Sequence, residues 1–222
     1  LSGTAGVLPP PKGYLKKLRE ICTKHDLLLI FDEVITGLGR MGSMTGAEEF
    51  GVTPDMMTLA KQITNGTIPL GAVVTAPYIY NTFMENGGPD YMVEFPHGYT
   101  YSAHPVACAA GLASLELMGR DNLVEKVREL SPKLESAVHG LKGAPFVTDI
   151  RNYGLAAGIT LEAYEGEPLR RPFELGLRCL EKGFYVRWGG DTIQLAPQFI
   201  STPDQIDALV NAIGESLYEL GN

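Results

Sequence analysis

The sequence predicts an α/β fold, with a mainly parallel sheet over residues 1–120 and a small α+β domain over residues 121–222. Three observations point there. In the first part, short apolar runs alternate with helix-like stripes, the pattern of parallel strands joined by helical crossovers. Beyond residue 120, long amphipathic stretches flank a group of short strand-like runs without that alternation. Finally, 222 residues, 45% of them hydrophobic and 20% charged, suffice to bury a core of one or two domains.

Taken in order, Pro9-Pro10-Pro11 halts any preceding element. Leu15, Leu18, Ile21 and Cys22 then form a helical stripe. Leu27–Val34 is a continuous apolar run carrying Asp32-Glu33 near its end, as in a buried parallel strand whose carboxyl end is polar. Met56–Ala60 and Gly71–Ala76 predict two more short buried strands. Pro105–Leu117 reads as a helix rich in small residues (Ala107, Ala109, Ala110, Gly111, Ala113), against which other backbones can approach closely. Asn122–Leu141 is an amphipathic helix ending near Gly143. Strands are expected at Phe146–Ile150, Leu155–Leu161, Phe184–Trp188 and Thr192–Leu195, with a helix from about Phe173 to Lys182 stopped by Gly183. Thr202, Pro203 and Gln205 spell a capping box for a last helix. There is no internal repeat and no low-complexity segment.

Composition narrows the function classes. A net charge of -8 with no basic block argues against a nucleic-acid partner, whose phosphates demand clustered Lys and Arg. The longest apolar runs fall short of the roughly 20 residues that cross a bilayer, so no membrane association is expected. Three scattered cysteines (Cys22, Cys108, Cys179) suggest reduced core thiols and a cytoplasmic setting, not a disulfide frame or a zinc site. Leu1–Gly6 reads as a loop entered midway through something larger, with a trimmed terminus or a tag scar as the plainer alternative.

Gly37-Leu38-Gly39-Arg40-Met41-Gly42 matches G-x-G-x-x-G and would suggest a nicotinamide dehydrogenase. Asp32 and Glu33 stand just before it, where their charge opposes a pyrophosphate, and no periodic helix begins after Gly42. A sharp turn is the better reading.

The chemistry-bearing residues are Lys61 and Asp32. Lys61 follows the apolar run Met56–Ala60 directly, where partial desolvation would favour a neutral, nucleophilic amine. Taken alone, a strand-end lysine reaching to water is the commoner case. Asp32 changes the balance, because the gap between the two admits one helix-bearing crossover. Two neighbouring parallel strands would then present a carboxylate and an amine to one cleft. Pyridoxal phosphate needs that pair: an amine to form the Schiff base and an anion to keep the pyridine nitrogen protonated. A helix cap or a salt bridge remains the alternative for Asp32-Glu33. A metal site is a weaker rival, with no His nearby in sequence. His25, His104 and His139 are read as structural.

Ile30-Phe31-Asp32-Glu33-Val34-Ile35-Thr36-Gly37, Gly39-Arg40-Met41-Gly42, Pro54-Asp55 and Ala60-Lys61-Gln62-Ile63-Thr64-Asn65-Gly66 together resemble the signature of the class III (fold type I) pyridoxal-phosphate-dependent aminotransferases. The resemblance covers essentially the whole chain and maps it onto that family's C-terminal half. Arg171-Pro172-Phe173-Glu174 and Gly183-Phe184-Tyr185-Val186-Arg187-Trp188-Gly189-Gly190-Asp191 resemble the β-alanine (ω-amino acid):pyruvate branch. The resemblance implies pyridoxal 5'-phosphate as cofactor and ping-pong transfer between an amine or amino acid and a keto acid. It implies that Lys61 holds the cofactor covalently, Asp32 pairs with the pyridinium nitrogen and Val34 packs on the ring. It also implies that Thr100 reaches the cofactor phosphate of the partner subunit in a homodimer, and that Arg187 binds the substrate carboxylate through its planar fork. From the residues alone, Thr100 reads as part of a polar loop and Arg187 as a strand arginine in a surface ion pair. The family's N-terminal half supplies its phosphate loop, its ring-stacking aromatic and much of its substrate pocket. A second reading is therefore an incomplete, catalytically inactive fragment or remnant that acts only as an interaction subunit.

Overall fold

A computed structural model describes residues 1–221. They fall into two compact units: one of Lys12–Leu38 with Thr45–Asn122, the other of Leu1–Pro11, Gly39–Met44 and the chain from Leu123 onward.

The first unit is built on a three-stranded sheet. Helix α1 (Tyr14–Lys24) leads to β1 (Ile30–Asp32), the short α2 (Gly46–Phe50) to β2 (Met56–Leu59), and a 3-10 turn (Lys61–Ile63) to β3 (Ala72–Thr75). Helices α3 (Pro77–Glu85) and α4 (Pro105–Arg120) complete it. The sheet order is β1-β2-β3. β1 and β2 are parallel with Asp32 opposite Thr58, whereas β3 runs antiparallel to β2.

The expected strands form, but they are not buried. Alternation along the first strand explains the difference. Leu29 and Phe31 turn to a small core with Cys22, Val52, Leu15 and Leu18, while Leu28 and Ile30 turn the other way and stay more than half exposed. Val73 and Val74 of β3 are exposed as well. One tie holds this unit's elements together. The Asp55 carboxylate accepts from Leu29 N–H (2.6 Å), Arg19 Nη1 (2.7 Å) and Tyr78 Oη (2.8 Å), joining α1, β1 and α3. Burial would push this carboxyl up, but the hydrogen bonds and the Arg19 charge outweigh it and hold it at about 2.

The second unit is an antiparallel sheet covered by helices. Strands β4 (Val147–Tyr153), β5 (Ala156–Leu161), β6 (Arg187–Gly189) and β7 (Thr192–Leu195) lie in the order β4-β5-β7-β6. Helices α5 (Leu123–His139) and α6 (Arg170–Glu181) both pack on α7 (Pro203–Gly221). Leu134, Val138, Ile159, Ile193, Ile213 and Leu217 are fully buried. Each such aliphatic side chain contributes about 1.5–3 kcal/mol of transfer free energy.

The predicted punctuation of this unit is present. Thr202 N–H donates to Gln205 Oε1 (2.9 Å) and Gln205 N–H to Thr202 Oγ1 (3.2 Å), a reciprocal capping box. Gly183 N–H bonds Leu180 O and Phe184 N–H bonds Cys179 O, the paired bonds of a Schellman stop.

Gly39–Met44 of the glycine-rich turn belongs to this unit, where Arg40 makes its bonds. Its Nη1 donates to Leu155 O (2.9 Å) and Pro197 O (2.6 Å), and its guanidinium lies 4.5 Å from the Phe199 ring centroid. Burial pushes that guanidinium down to about 10. The next helix after Gly42 is the five-residue α2.

Candidate functional site

Parallel pairing puts the carboxyl ends of β1 and β2 side by side. Asp32 ends β1, and Lys61 stands two residues beyond the end of β2. Both side chains belong to exposed residues. The Asp32 carboxylate is oriented by local bonds: Oδ1 accepts from Val34 N–H (3.0 Å) and Thr58 Oγ1 (3.3 Å). Among the described residues no hydrogen bond reaches Oδ2, so that oxygen stays available. Lys61 Nζ likewise makes no hydrogen bond or ion pair among the described residues.

The backbone at Lys61 is strained. Its φ of 46° is left-handed, a region that L-residues other than Gly, Asn and Asp seldom occupy and that costs on the order of 1–3 kcal/mol. Neighbours hold the turn in that form. Ser114 Oγ of α4 donates to Gln62 O at 3.1 Å, and Thr64, itself buried, donates through Oγ1 to Ile68 O at 2.6 Å. Gly111 of α4 leaves room for the turn, since a Cβ there would meet Leu70 Cδ2 at 3.2 Å and Ile63 O at 3.6 Å. The small residues of α4 therefore have a local task in holding the lysine-bearing turn.

Of the other expected site residues, Val34 joins this group, half-buried and bonded to Asp32 through its N–H. Thr100 belongs to the same unit, in an exposed stretch where Tyr99 N–H donates to Ser102 Oγ at 2.9 Å. It makes no bond to Asp32 or Lys61. Arg187 belongs to the other unit, exposed at the start of β6 opposite Gln194. Its neighbour Trp188 lines an open depression of about 540 Å³ with Phe173 and Arg170.

Two contributors escaped sequence reasoning. Thr58 orients Asp32, and the one hydroxyl in the apolar run Met56–Ala60 was its signal. Glu33 is only 2% exposed, and nothing in its type or spacing distinguishes it from its neighbour Asp32. An exposed carboxylate that ends one strand, and an unengaged amine two residues beyond the end of its parallel neighbour, are the residue types that a carbonyl cofactor with a protonated ring nitrogen requires.

Comparisons with known proteins bear on this geometry. The aminotransferase class-III family profile matches residues 1–217. The chain is 59% identical over 220 residues to the omega-amino acid–pyruvate aminotransferase of Pseudomonas putida, covering 99% of this chain and 49% of that protein. It is 58% identical over 217 residues to the beta-alanine–pyruvate aminotransferase of Pseudomonas aeruginosa, covering 98% and 48%. Among solved structures, an amine transaminase from an uncultivated Pseudomonas species in its PLP-bound form matches with a TM-score of 0.90 and 35% identity, over 98% of this chain and 50% of that one. The chain thus spans about half the length of the curated relatives it matches.

Proposed function

Because this chain belongs to the class III aminotransferases, we propose that the protein carrying it exchanges an amino group between a β-alanine-like ω-amino acid or amine and pyruvate, with pyridoxal 5'-phosphate as cofactor. The observation that carries this reading is the placement of Asp32 and Lys61 at the carboxyl ends of adjacent parallel strands, with Lys61 Nζ unengaged. When bound, the cofactor supplies the electron sink that makes a carbon-bound proton acidic. Lys61 Nζ would be the amine that holds it covalently and the base that moves that proton. Asp32 Oδ2 would accept a hydrogen bond from the ring nitrogen, while Thr58 and Val34 hold the carboxylate in direction through Oδ1. Val34 would cover part of one ring face.

Arg187 binds the substrate carboxylate through two parallel N–H bonds and swings aside for donors that lack one. Thr100 binds the cofactor phosphate held by a second copy, so the working form is a homodimer. Its support is the exposure of Tyr91, Tyr99 and Tyr101, each at least 80% accessible around this segment. Three free cysteines support a cytoplasmic setting. A domain division near residue 120 remains part of the proposal.

The complete polypeptide should be yellow and should lose that colour and its turnover with Lys61→Ala. Unchanged absorbance and rate in the variant would reject the assignment. A cofactor titration of this 24.0 kDa chain by itself separates an active half from a remnant. Stoichiometric binding would refute the remnant reading, and absence of binding would favour it.

A further inference from the structure

Asp32 and Glu33 are consecutive carboxylates with opposite fates. Asp32 is exposed, whereas Glu33 is 2% exposed and faces the interior. A buried carboxylate is costly unless its oxygens are satisfied, and here both are. Glu33 Oε1 accepts from Ala47 N–H at 2.9 Å, and Oε2 accepts from Gly46 N–H at 2.9 Å and from the Thr36 hydroxyl. The backbone of Glu33 is held as firmly. Its N–H donates to Thr58 O (3.0 Å), extending the β1–β2 ladder by one rung, and its carbonyl accepts from Gly37 N–H (2.8 Å). Thr58 is the residue whose hydroxyl orients Asp32.

We infer that Glu33 is a positioning residue for Asp32: its clamped carboxylate ties the start of α2 to the end of β1 and so fixes the direction in which Asp32 presents its open oxygen. This inference rests on the cofactor role assigned to Asp32 under the proposed function. Rigid support of a functional carboxylate by buried partners is the usual way such groups keep sub-ångström placement. At 2% exposure, Glu33 itself would act through Asp32 and not by contact with a ligand. Glutamine cannot replace it, because Oε1 alone accepts and the amide NH2 would face the Gly46 or Ala47 N–H, donor against donor.

The test uses the complete polypeptide with pyridoxal phosphate bound. Glu33→Gln should weaken cofactor binding, read by absorbance titration, and alter the visible band in the same sense as Asp32→Asn. kcat should fall roughly tenfold to a hundredfold with KM for the amine donor nearly unchanged. Thr36→Val, which removes one of the three bonds, should shift the band and the affinity in the same direction by less. If Glu33→Gln lowers thermal stability but keeps the wild-type band, affinity and kcat, Glu33 is merely structural and the inference is overturned. If Glu33→Gln does not fold, Thr36→Val decides, and a wild-type band and affinity there overturn the inference. Lys61→Ala serves as the separate control. An unchanged band with unchanged turnover in Lys61→Ala rejects the function itself, whereas a changed band and lost turnover there with a normal Glu33→Gln rejects only the role of Glu33.

Discussion

The two units solve opposite problems. The one from Leu123 onward closes an antiparallel sheet under three helices and buries Ile159, Ile193, Leu134 and Ile213 completely. The unit carrying Asp32 and Lys61 has three short strands, a small core around Cys22, Leu29 and Val52, and apolar side chains such as Val73 left in water. It also carries the left-handed Lys61. Apolar burial thus concentrates away from Asp32 and Lys61, which stand on a frame tied by polar bonds at Asp55 and Glu33. Strained backbone persists only where surrounding bonds over-determine it, and here Ser114 and Thr64 do that.

Truncating one residue in each unit is the hardest test of this contrast. Leu134→Ala removes a fully buried side chain from α5 and should lower the unfolding free energy by about 2–5 kcal/mol. Val73→Ala, at a position 65% exposed, should change it by less than about 0.5 kcal/mol in the same chain. Urea unfolding measures both, and comparable losses would end the contrast.

A pair of glycines sharpens it further. Gly154 and Gly51 have nearly the same left-handed φ, 55° and 60°. Alanine at Gly51 meets nothing within 4 Å and should cost about 1 kcal/mol for the backbone alone. At Gly154 the new Cβ would stand 2.5 Å from Met41 Cα and 2.7 Å from Arg40 O, main-chain atoms that cannot step aside. Gly154→Ala should therefore cost about 1–3 kcal/mol beyond Gly51→Ala. A smaller effect is expected at Thr202→Ala, which opens the α7 capping box and should cost about 1 kcal/mol, read from the same unfolding curves.

How much of this was legible follows from which interactions leave a pattern in sequence. Helices α1, α4, α5 and α7 were visible because apolar periodicity and caps are local signals. The pairing of β1 with β2 was visible because a crossover-length gap between apolar runs nearly dictates a parallel pair. The reversal at β3 was not, since an antiparallel edge strand is as apolar as a parallel one. The exposure of these strands was hidden too, because an apolar run records what could be buried, not what covers it. In sequence Arg40 reads as part of a turn and of the family signature; its partners are the carbonyls of Leu155 and Pro197, and backbone acceptors have no sequence identity. At the site, Lys61 and Asp32 could be paired from chemistry alone. Glu33 could not be told from Asp32, because their difference lies in which way consecutive side chains turn.

A further small effect is an acid one, confined to the unit that carries Asp32 and Lys61. The Asp55 carboxyl titrates at about 2 in the folded protein, against an ordinary value of 3.8. Folding therefore favours its ionised form. The stability this supplies is fully present above about pH 4 and is lost as pH falls through about 2. Arg19 keeps its charge throughout, so protonation of Asp55 leaves a guanidinium facing a neutral acid. Solvent at this partly exposed pair screens the effect to under about 1 kcal/mol. Asp55→Asn has no carboxyl to titrate, so its stability deficit relative to wild type should be largest near about pH 5 and should shrink toward about pH 2. A deficit that stays constant across that range would mean that Asp55 ties α1, β1 and α3 by shape and hydrogen bonding alone, without its charge.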